Sequence, residues 1–361
     1  MLRSMRASCG MRTVLLSPPP LPVVQPLRSL PVPDTMRAIR LTGPVSPDEL
    51  IVTDVPIPDV RPGWVRIRVM AFGVNESEVT SRRGESSPDF TFPRILGIEA
   101  VGIVDATGDG VHLDLGQKVF TMMGGLGRSI DGAYAEYTVV DARNVIPFTS
   151  DLPWETLGAL PEMLQTAHGS ITTGLALQAG QNILIHGGTS AVGLSAIAVA
   201  HHLGATVIST TRNPARFDLL KQVGADYAVL DDDSFTDNIN EVAPEGLDAV
   251  LELINAPALP KMLSLVRVGG TVCFTGALAG EWTIPNSPFN IPNGTRLTSY
   301  GGNATNLPAA SLQHYLGAIA AGTFKTVISK VHSGLDEVRT AHRALERNDA
   351  PGRHVVLLAT M

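Results

Sequence analysis

Residues 182–193 read Asn182-Ile183-Leu184-Ile185-His186-Gly187-Gly188-Thr189-Ser190-Ala191-Val192-Gly193. The apolar run Ile183–Ile185 reads as a buried strand, the glycines as a turn, and Ala191 to Leu203 as a helix. Strand, glycine-rich turn and helix are the context that a dinucleotide fingerprint requires. The helix N-terminus presents unpaired backbone N–H groups and a positive dipole end to a pyrophosphate. In this reading Gly188 permits the tight turn and Gly193 permits close packing of helix on strand. Ser190 stands where the strict pattern has its middle glycine, with a hydroxyl able to donate to phosphate. Thr189, Ala191 and Val192 complete the turn. The same turn also serves as a plain strand-to-helix connection, so its neighbours have to decide.

The next strand, Thr206 to Thr211, ends in Thr211-Arg212-Asn213. An NAD site usually carries Asp or Glu at this place to hold the ribose diol, whereas an arginine nearby accommodates a 2′-phosphate. Arg212 therefore selects NADPH, and Thr211 beside it belongs to the same site. Charge-assisted bonds of about 1.5–3 kcal/mol each would bias NADPH over NADH by roughly one to two decades. The alternative is a solvated loop arginine. Further strands follow at Tyr227 to Leu230, Leu247 to Leu253, Thr271 to Thr275 and Arg296 to Tyr300, with helical stretches between them. That alternation defines an α/β doubly wound parallel sheet. Asn255 and Gly276 fall at carboxyl ends of its strands, the edge where ligands bind, or else serve simple turn chemistry. Thr166 lies in the helical stretch from Trp154 to Leu177 that enters the sheet, where it can contact the cofactor.

Before Phe148 the texture differs. Val65 to Val69 alternates with period two, Ala100 to Val104 and Gln117 to Thr121 read alike, and Gly and Pro punctuate throughout. This is an all-β, barrel-like module. Residues 1–35 stand apart, with Arg3, Arg6, Arg12 and Arg28, no acid before Asp34, and seven of the 26 prolines. The segment reads either as a mitochondrial transit peptide or as an upstream leader before a start at Met36, and the prolines count against the amphipathic helix of the former. The chain has 361 residues, 27 Lys plus Arg against 34 Asp plus Glu, and a net charge of −7. That balance argues against nucleic acid as a partner. Two cysteines, Cys9 and Cys273, cannot build a four-cysteine zinc site and fit a reduced, cytoplasmic protein. The apolar stretch Ala191 to Ala200 is half a membrane span at best, so no membrane partner is expected.

From Met36 onward the chain resembles the medium-chain dehydrogenase/reductase superfamily and, within it, the zinc-independent quinone oxidoreductases of the zeta-crystallin-like group. The resemblance rests on Met36-Arg37-Ala38-Ile39, on Gly73-Val74-Asn75-Glu76-Ser77-Glu78 with Arg82 and Gly84, on Pro93 to Val104, on Gly132 to Tyr137 and on Asp336 to Val356. It implies a GroES-like catalytic domain in two pieces, 36–155 and 300–361, with a Rossmann cofactor domain at 156–299. It also implies a cleft between them for substrate, and a homodimer through the edge strand near Arg296 to Tyr300. Zinc-dependent relatives place catalytic ligands at positions that are Asn75 and Ile98 here, and the third region reads Pro161-Glu162-Met163. Glu99 alone cannot hold zinc, which wants three protein ligands, so no catalytic metal is expected.

Without a Lewis acid, reduction of an already electrophilic quinone or enone is the easier reaction. Asn75 is the candidate catalytic residue: its amide can donate to a developing oxyanion, or it can cap local backbone as a turn residue. Tyr134 and Tyr137 read as core residues with hydroxyls at the edge, and no side chain stands out as a general acid. The substrate-pocket loops are expected at Arg83 to Phe92, Gly124 to Ile130 and Trp282 to Pro292. None of the five tyrosines (134, 137, 227, 300, 315) has a lysine four positions later, which excludes the Tyr-x-x-x-Lys dehydrogenases. Two alternatives stay open beside the quinone or enone reductase. They are a trans-acting enoyl reductase of a biosynthetic route and a non-catalytic NADPH-binding protein.

Overall fold

The computed structural model describes residues 34–284, 291–348 and 350–358. Cys9, most of the expected leader, the centre of the expected loop at 282–292 and Ala359 lie outside the described residues. The first strand, Thr35–Ala38, starts inside the segment read as leader. It pairs antiparallel with Thr53–Pro56.

Ile183, Leu184 and Ile185 are fully buried, as a strand covered on both faces must be. Asn182–His186 is a central strand of a six-stranded, all-parallel sheet. The order is Tyr227–Leu230, Thr206–Thr211, Asn182–His186, Leu247–Glu252, Val266–Phe274 and Arg296–Ser299. Chain order reverses on the two sides of Asn182–His186, which places the crevice at that strand's carboxyl end. The helix Ala191–Leu203 starts at Ser190 and ends at Gly204, whose φ of 86° a glycine adopts without strain.

The turn glycines divide their work differently from the sequence reading. Gly187, with φ 92°, makes the turn. Gly188 is needed for close approach, since a Cβ there would collide with Ser209 Oγ. A Cβ on Gly193 would lie 2.8 Å from Gly188 Cα and strike the Gly187 carbonyl, so helix and strand pack backbone to backbone.

The other sheet has seven strands. Its spine is Trp64–Gly73, which pairs antiparallel with Glu99–Thr107, with Tyr137–Asp141 and with Arg353–Leu357. Lys118–Met122 and Val145–Pro147 extend one side, and Ile328–Ser333 the other. The chain's end therefore returns to the first module, with Val355 opposite Gly73. The continuous helix expected from Trp154 to Leu177 is broken. Trp154–Gly158 and Pro161–Gly169 are separate helices, and a π-type turn follows over Ser170–Gly174. Pro161 cannot donate its missing N–H into a preceding turn, so it starts a new helix as its first residue. The β-rich module also holds the helix Glu76–Arg82, which the alternation pattern did not reveal. Helix Pro161–Gly169 contributes Leu164 and Ala167 to a core that contains both Val101 and Phe120 of the seven-stranded sheet and Ile183 and Ile185 of the parallel one.

Candidate functional site

A cleft of about 870 Å³ runs along the carboxyl ends of the parallel strands. One wall carries Thr189, Ser190, Ala191 and Val192, then Thr211 and Arg212, and Gly276 at the far side. The opposite wall carries Asn75, Glu162, Thr166 and Arg353. Nine of the twelve site residues expected from sequence thus meet on one surface. Gly188 and Gly193 lie behind it and shape the turn. Asn255 does not line the cleft, because its Oδ1 accepts from Ala258 N at 2.8 Å and caps the turn at Ala256–Ala258. The loops at 83–92 and 124–130 do not line it either. Leu345, Asn348 and Ala350 to Gly352 do, on the segment that leads into the strand Arg353–Leu357.

At the helix N-terminus, Ser190 is a capping residue. Its Oγ accepts from Gly193 N at 3.0 Å and donates to the Gly187 carbonyl at 2.8 Å. The hydroxyl expected to meet a phosphate is thereby occupied. The amides of Ala191 and Val192, in the first turn and on the cleft wall, have no intrahelical acceptor. Arg212 is exposed, and among the described residues it has no hydrogen-bond or ion-pair partner. A second cation, Arg216, reaches Thr189 Oγ1 at 3.5 Å and lines the same end. The sequence reading missed Arg216, although its place four residues after Arg212 in a turn that opens a helix was the available signal.

Beneath this end lies a charged network. His186 donates from Nδ1 to Glu252 Oε2 at 2.6 Å and from Nε2 to Asp231 Oδ2 at 3.2 Å. Burial works against its charge, but the two carboxylates hold the imidazolium up to about 9. Asp231 is correspondingly pulled down, chiefly by that hydrogen bond. Asp231, the first of three consecutive aspartates, thus contributes to the cleft wall. Glu252 Oε1 accepts from the amides of Ile254 and Asn255, so the network also fixes the loop after its strand.

The opposite wall is built around Asn75, which caps the helix Glu76–Arg82. Its Nδ2 donates to Glu99 Oε1 at 3.1 Å and to Glu78 Oε1 at 3.3 Å. Its Oδ1 accepts from Arg353 Nη2 at 2.8 Å. Both amide hydrogens are taken by carboxylates, so the oxyanion-donor role expected of Asn75 is not one this arrangement supplies. Asn75 stands at the N-cap position of that helix, and its amide is held by the side chains of Glu78, Glu99 and Arg353. Glu78 accepts from Asn75 N, Ile98 N and Tyr134 Oη, the last two at 2.7 Å. Tyr134 is fully buried, with its hydroxyl at the centre of this network and not at the core's edge. Thr166 lies one turn beyond Glu162 and donates to its Oε1 at 2.8 Å.

Arg353 is the residue that sequence reasoning missed altogether. It is 4% exposed, pairs with Glu99 and donates from Nη1 to the Val74 carbonyl at 3.0 Å. Burial lowers the guanidinium to about 10, which leaves it cationic at neutral pH. The positions that the resemblance matches to zinc ligands of metal-dependent relatives are therefore an engaged amide (Asn75), a side chain without a ligand atom (Ile98) and the stretch Pro161-Glu162-Met163, which offers one carboxyl, with a protein cation already against Glu99. This donor set does not fit a zinc ion, which wants three protein ligands. Among the described residues no group of three His, Cys, Asp or Glu side chains could hold a metal, and no helix is long and apolar enough to cross a membrane.

The comparisons with known proteins bear on the family and the fold. The family model for the alcohol dehydrogenase GroES-like domain matches residues 61–150, and that for the zinc-binding dehydrogenases matches residues 191–315. Together they cover more than half of the chain. Human quinone oxidoreductase is 27% identical over 333 residues, covering 90% of this chain and 98% of the relative. The 2-methylene-furan-3-one reductase of Solanum lycopersicum is 28% identical over 342 residues, covering 91% and 80%. A mycobacterial protein solved in complex with NADPH superposes with a TM-score of 0.77 at 25% identity, covering 89% of this chain and 99% of that one. The chain belongs to the medium-chain dehydrogenase/reductase superfamily, in its zinc-independent quinone oxidoreductase group. It has the fold of an oxidoreductase of that type, with a GroES-like β module and a Rossmann-like parallel sheet.

Arg353→Met removes one partner of a buried ion pair and leaves Glu99 uncompensated. Urea unfolding of this variant is expected to show a loss of about 3–5 kcal/mol. A loss below about 1 kcal/mol would mean that the pair does not hold the two segments together.

Proposed function

We propose that the chain is a zinc-independent, NADPH-dependent reductase of quinones or activated enones. The observation that carries the cofactor reading is the shared cleft wall of the first turn of helix Ala191–Leu203 and two arginines, Arg212 and Arg216. The amides of Ala191 and Val192 would take the pyrophosphate, and the helix dipole favours its charge. Arg212 and Arg216 would hold a 2′-phosphate, which a carboxylate at that place would repel. Thr166, Thr189, Thr211 and Gly276 line the remaining length, and a Cβ on Gly276 would stand 3.5 Å from its nearest neighbour, the Leu253 carbonyl. When bound, a reduced nicotinamide dinucleotide supplies hydride. The chain's own part is to hold the acceptor close and exclude water. Asn75 acts in this reading by positioning, since it fixes Glu78, Glu99 and Arg353 behind the acceptor site.

The acceptor class is supported by the human and tomato relatives, one named for quinones and the other for a methylene-furanone. We read 36–155 with 300–361 as the catalytic module and 156–299 as the cofactor module. The buried free thiol of Cys273 suits a cytoplasmic location. A homodimer is proposed through the edge strand Arg296–Ser299, because it is the last strand on that side of the parallel sheet and Val268 of the adjoining strand stands exposed. Light scattering is expected to give twice the chain mass, and the monomer mass would refute the pairing.

The cofactor assignment is tested by NADPH and NADH titrations and by turnover with an ortho-quinone, a para-quinone and an enone. Arg212→Ala is expected to weaken NADPH about 10- to 100-fold, leave NADH within about 2-fold, and Arg216→Ala to act in the same sense. Equal use of NADH by the unaltered protein would overturn the role of both arginines. Tight NADPH binding without turnover of any acceptor would favour the non-catalytic reading.

A further inference from the structure

We propose that the side-chain carboxyl of Glu162 is the acid that protonates the reduced acceptor. The proposal rests on the reductase reading above and supplies the proton that no residue in the sequence offered.

Among the described residues, four buried side-chain oxygens meet no hydrogen-bond partner: Ser77 Oγ, Thr121 Oγ1, Thr326 Oγ1 and Glu162 Oε2. Of these residues only Glu162 lies on the wall of the cleft. Its other oxygen, Oε1, accepts from Thr166 Oγ1, and its backbone N–H donates to Glu99 Oε2. A buried carboxyl oxygen without a partner asks for an explanation, and among the described residues of this network only Arg353 Nε shares that state on the cleft wall.

The surroundings say which form the carboxyl takes. Three charged groups surround it from other segments: Glu78 on the helix Glu76–Arg82, whose charge acts on it, Glu99, which accepts from its backbone N–H, and Arg353, which pairs with Glu99. Arg353 turns Nη1 and Nη2 to the Val74 carbonyl, Asn75 and Glu99 and leaves its Nε without a partner, and among the described residues no ion pair joins a cation to Glu162. Burial disfavours the carboxylate and the charge of Glu78 adds to that, against the Thr166 hydrogen bond. The carboxyl is pushed up to about 7. A group poised there is protonated in useful amount at neutral pH and still acidic enough to give the proton up. When Oε2 carries that proton it is a donor without an acceptor in the protein; Oε2 itself is covered, so in this reading the carboxyl turns about its last bond toward the cleft to meet the carbonyl oxygen of a quinone or enone.

The step balances. One carbon of the acceptor gains hydride from the reduced nicotinamide, and the π electron pair moves onto the carbonyl oxygen. The O–H bond of Glu162 breaks, its proton goes to that oxygen, and the residue is left as carboxylate. An enone becomes the enol; a quinone becomes the keto tautomer of the hydroquinone, which aromatises when the hydride-bearing carbon loses a proton to water and the second oxygen takes one from water. Water returns a proton to Glu162 before the next turnover.

The test compares the full chain with Glu162→Gln, which keeps size and shape and removes the acid. In the acceptor-free protein, infrared difference spectra across pH 5–9 are expected to show a carboxylic-acid band that titrates near 7 and is missing from the variant. NADPH affinity is expected to stay within about 2-fold, while kcat with an enone falls about 100-fold or more. Only the acid form is active, so kcat of the unaltered protein falls as pH rises through about 7, and the variant lacks that limb. Thr166→Val removes a hydrogen bond that favours the carboxylate, so band and limb both move to higher pH. This second variant carries the test if Glu162→Gln does not fold.

A variant that binds NADPH, keeps kcat within about 3-fold and retains the limb would overturn the assignment of Glu162 while leaving the reductase reading intact. So would the absence of a titrating band. If the unaltered protein binds NADPH and reduces no acceptor, the reductase reading fails and this assignment fails with it.

Discussion

The guanidinium of Arg353, held between Glu99 and the Asn75 amide, is the interaction on which the acceptor end of the cleft depends. It ties the strand Arg353–Leu357, near the chain's end, to Glu99 and Asn75 from the β-rich first part. The space it needs is set aside in the backbone: a Cβ on Gly73 would lie 2.6 Å from Arg353 Cζ. A buried ion pair of this kind is weak evidence for stability by itself, because desolvation offsets much of the attraction. Its value here is placement. With Glu99 neutralised and Glu78 saturated by donors, Glu162 is the buried carboxyl on that wall with an oxygen left unpartnered.

The cleft is therefore electrostatically two-ended. Arg212 and Arg216 offer cations at the mouth over the second parallel strand, while carboxyls dominate around Asn75. Asp231 would spoil the cationic end were it free, but His186 holds it from below. The imidazolium compensates a carboxylate that would otherwise weaken anion binding beside Arg212. A polyanionic ligand with an uncharged reactive end suits such a surface better than one charged throughout.

Much of the fold was legible because it is local. Residues 182–193 carry strand, turn and helix in one run, and the repeating strand–helix pattern after it leaves little choice but a parallel sheet. The phosphate end of the site was legible for the same reason, since its amides and Arg212 follow the strands directly. Hydroxyl and amide roles were harder. The hydroxyl of Ser190 and the Oδ1 of Asn255 both satisfy backbone groups nearby, and propensity for capping was a signal in each case. The acceptor end was not legible, because Arg353 is 278 positions from Asn75 and 254 from Glu99 in the chain. Nothing in their spacing announces that they meet. Glu162 did leave a trace as the lone acid in the apolar stretch Leu157 to Leu164. A carboxyl there is either paired or functional.

The account stands on a protein cation, with no metal, at the place where related dehydrogenases bind zinc. The most direct measurement is the zinc content of the purified chain, taken together with NADPH-driven reduction of a quinone before and after chelation. The account predicts substoichiometric zinc and a rate that chelation does not change. One zinc per chain, with turnover lost on its removal and regained on its return, would contradict it.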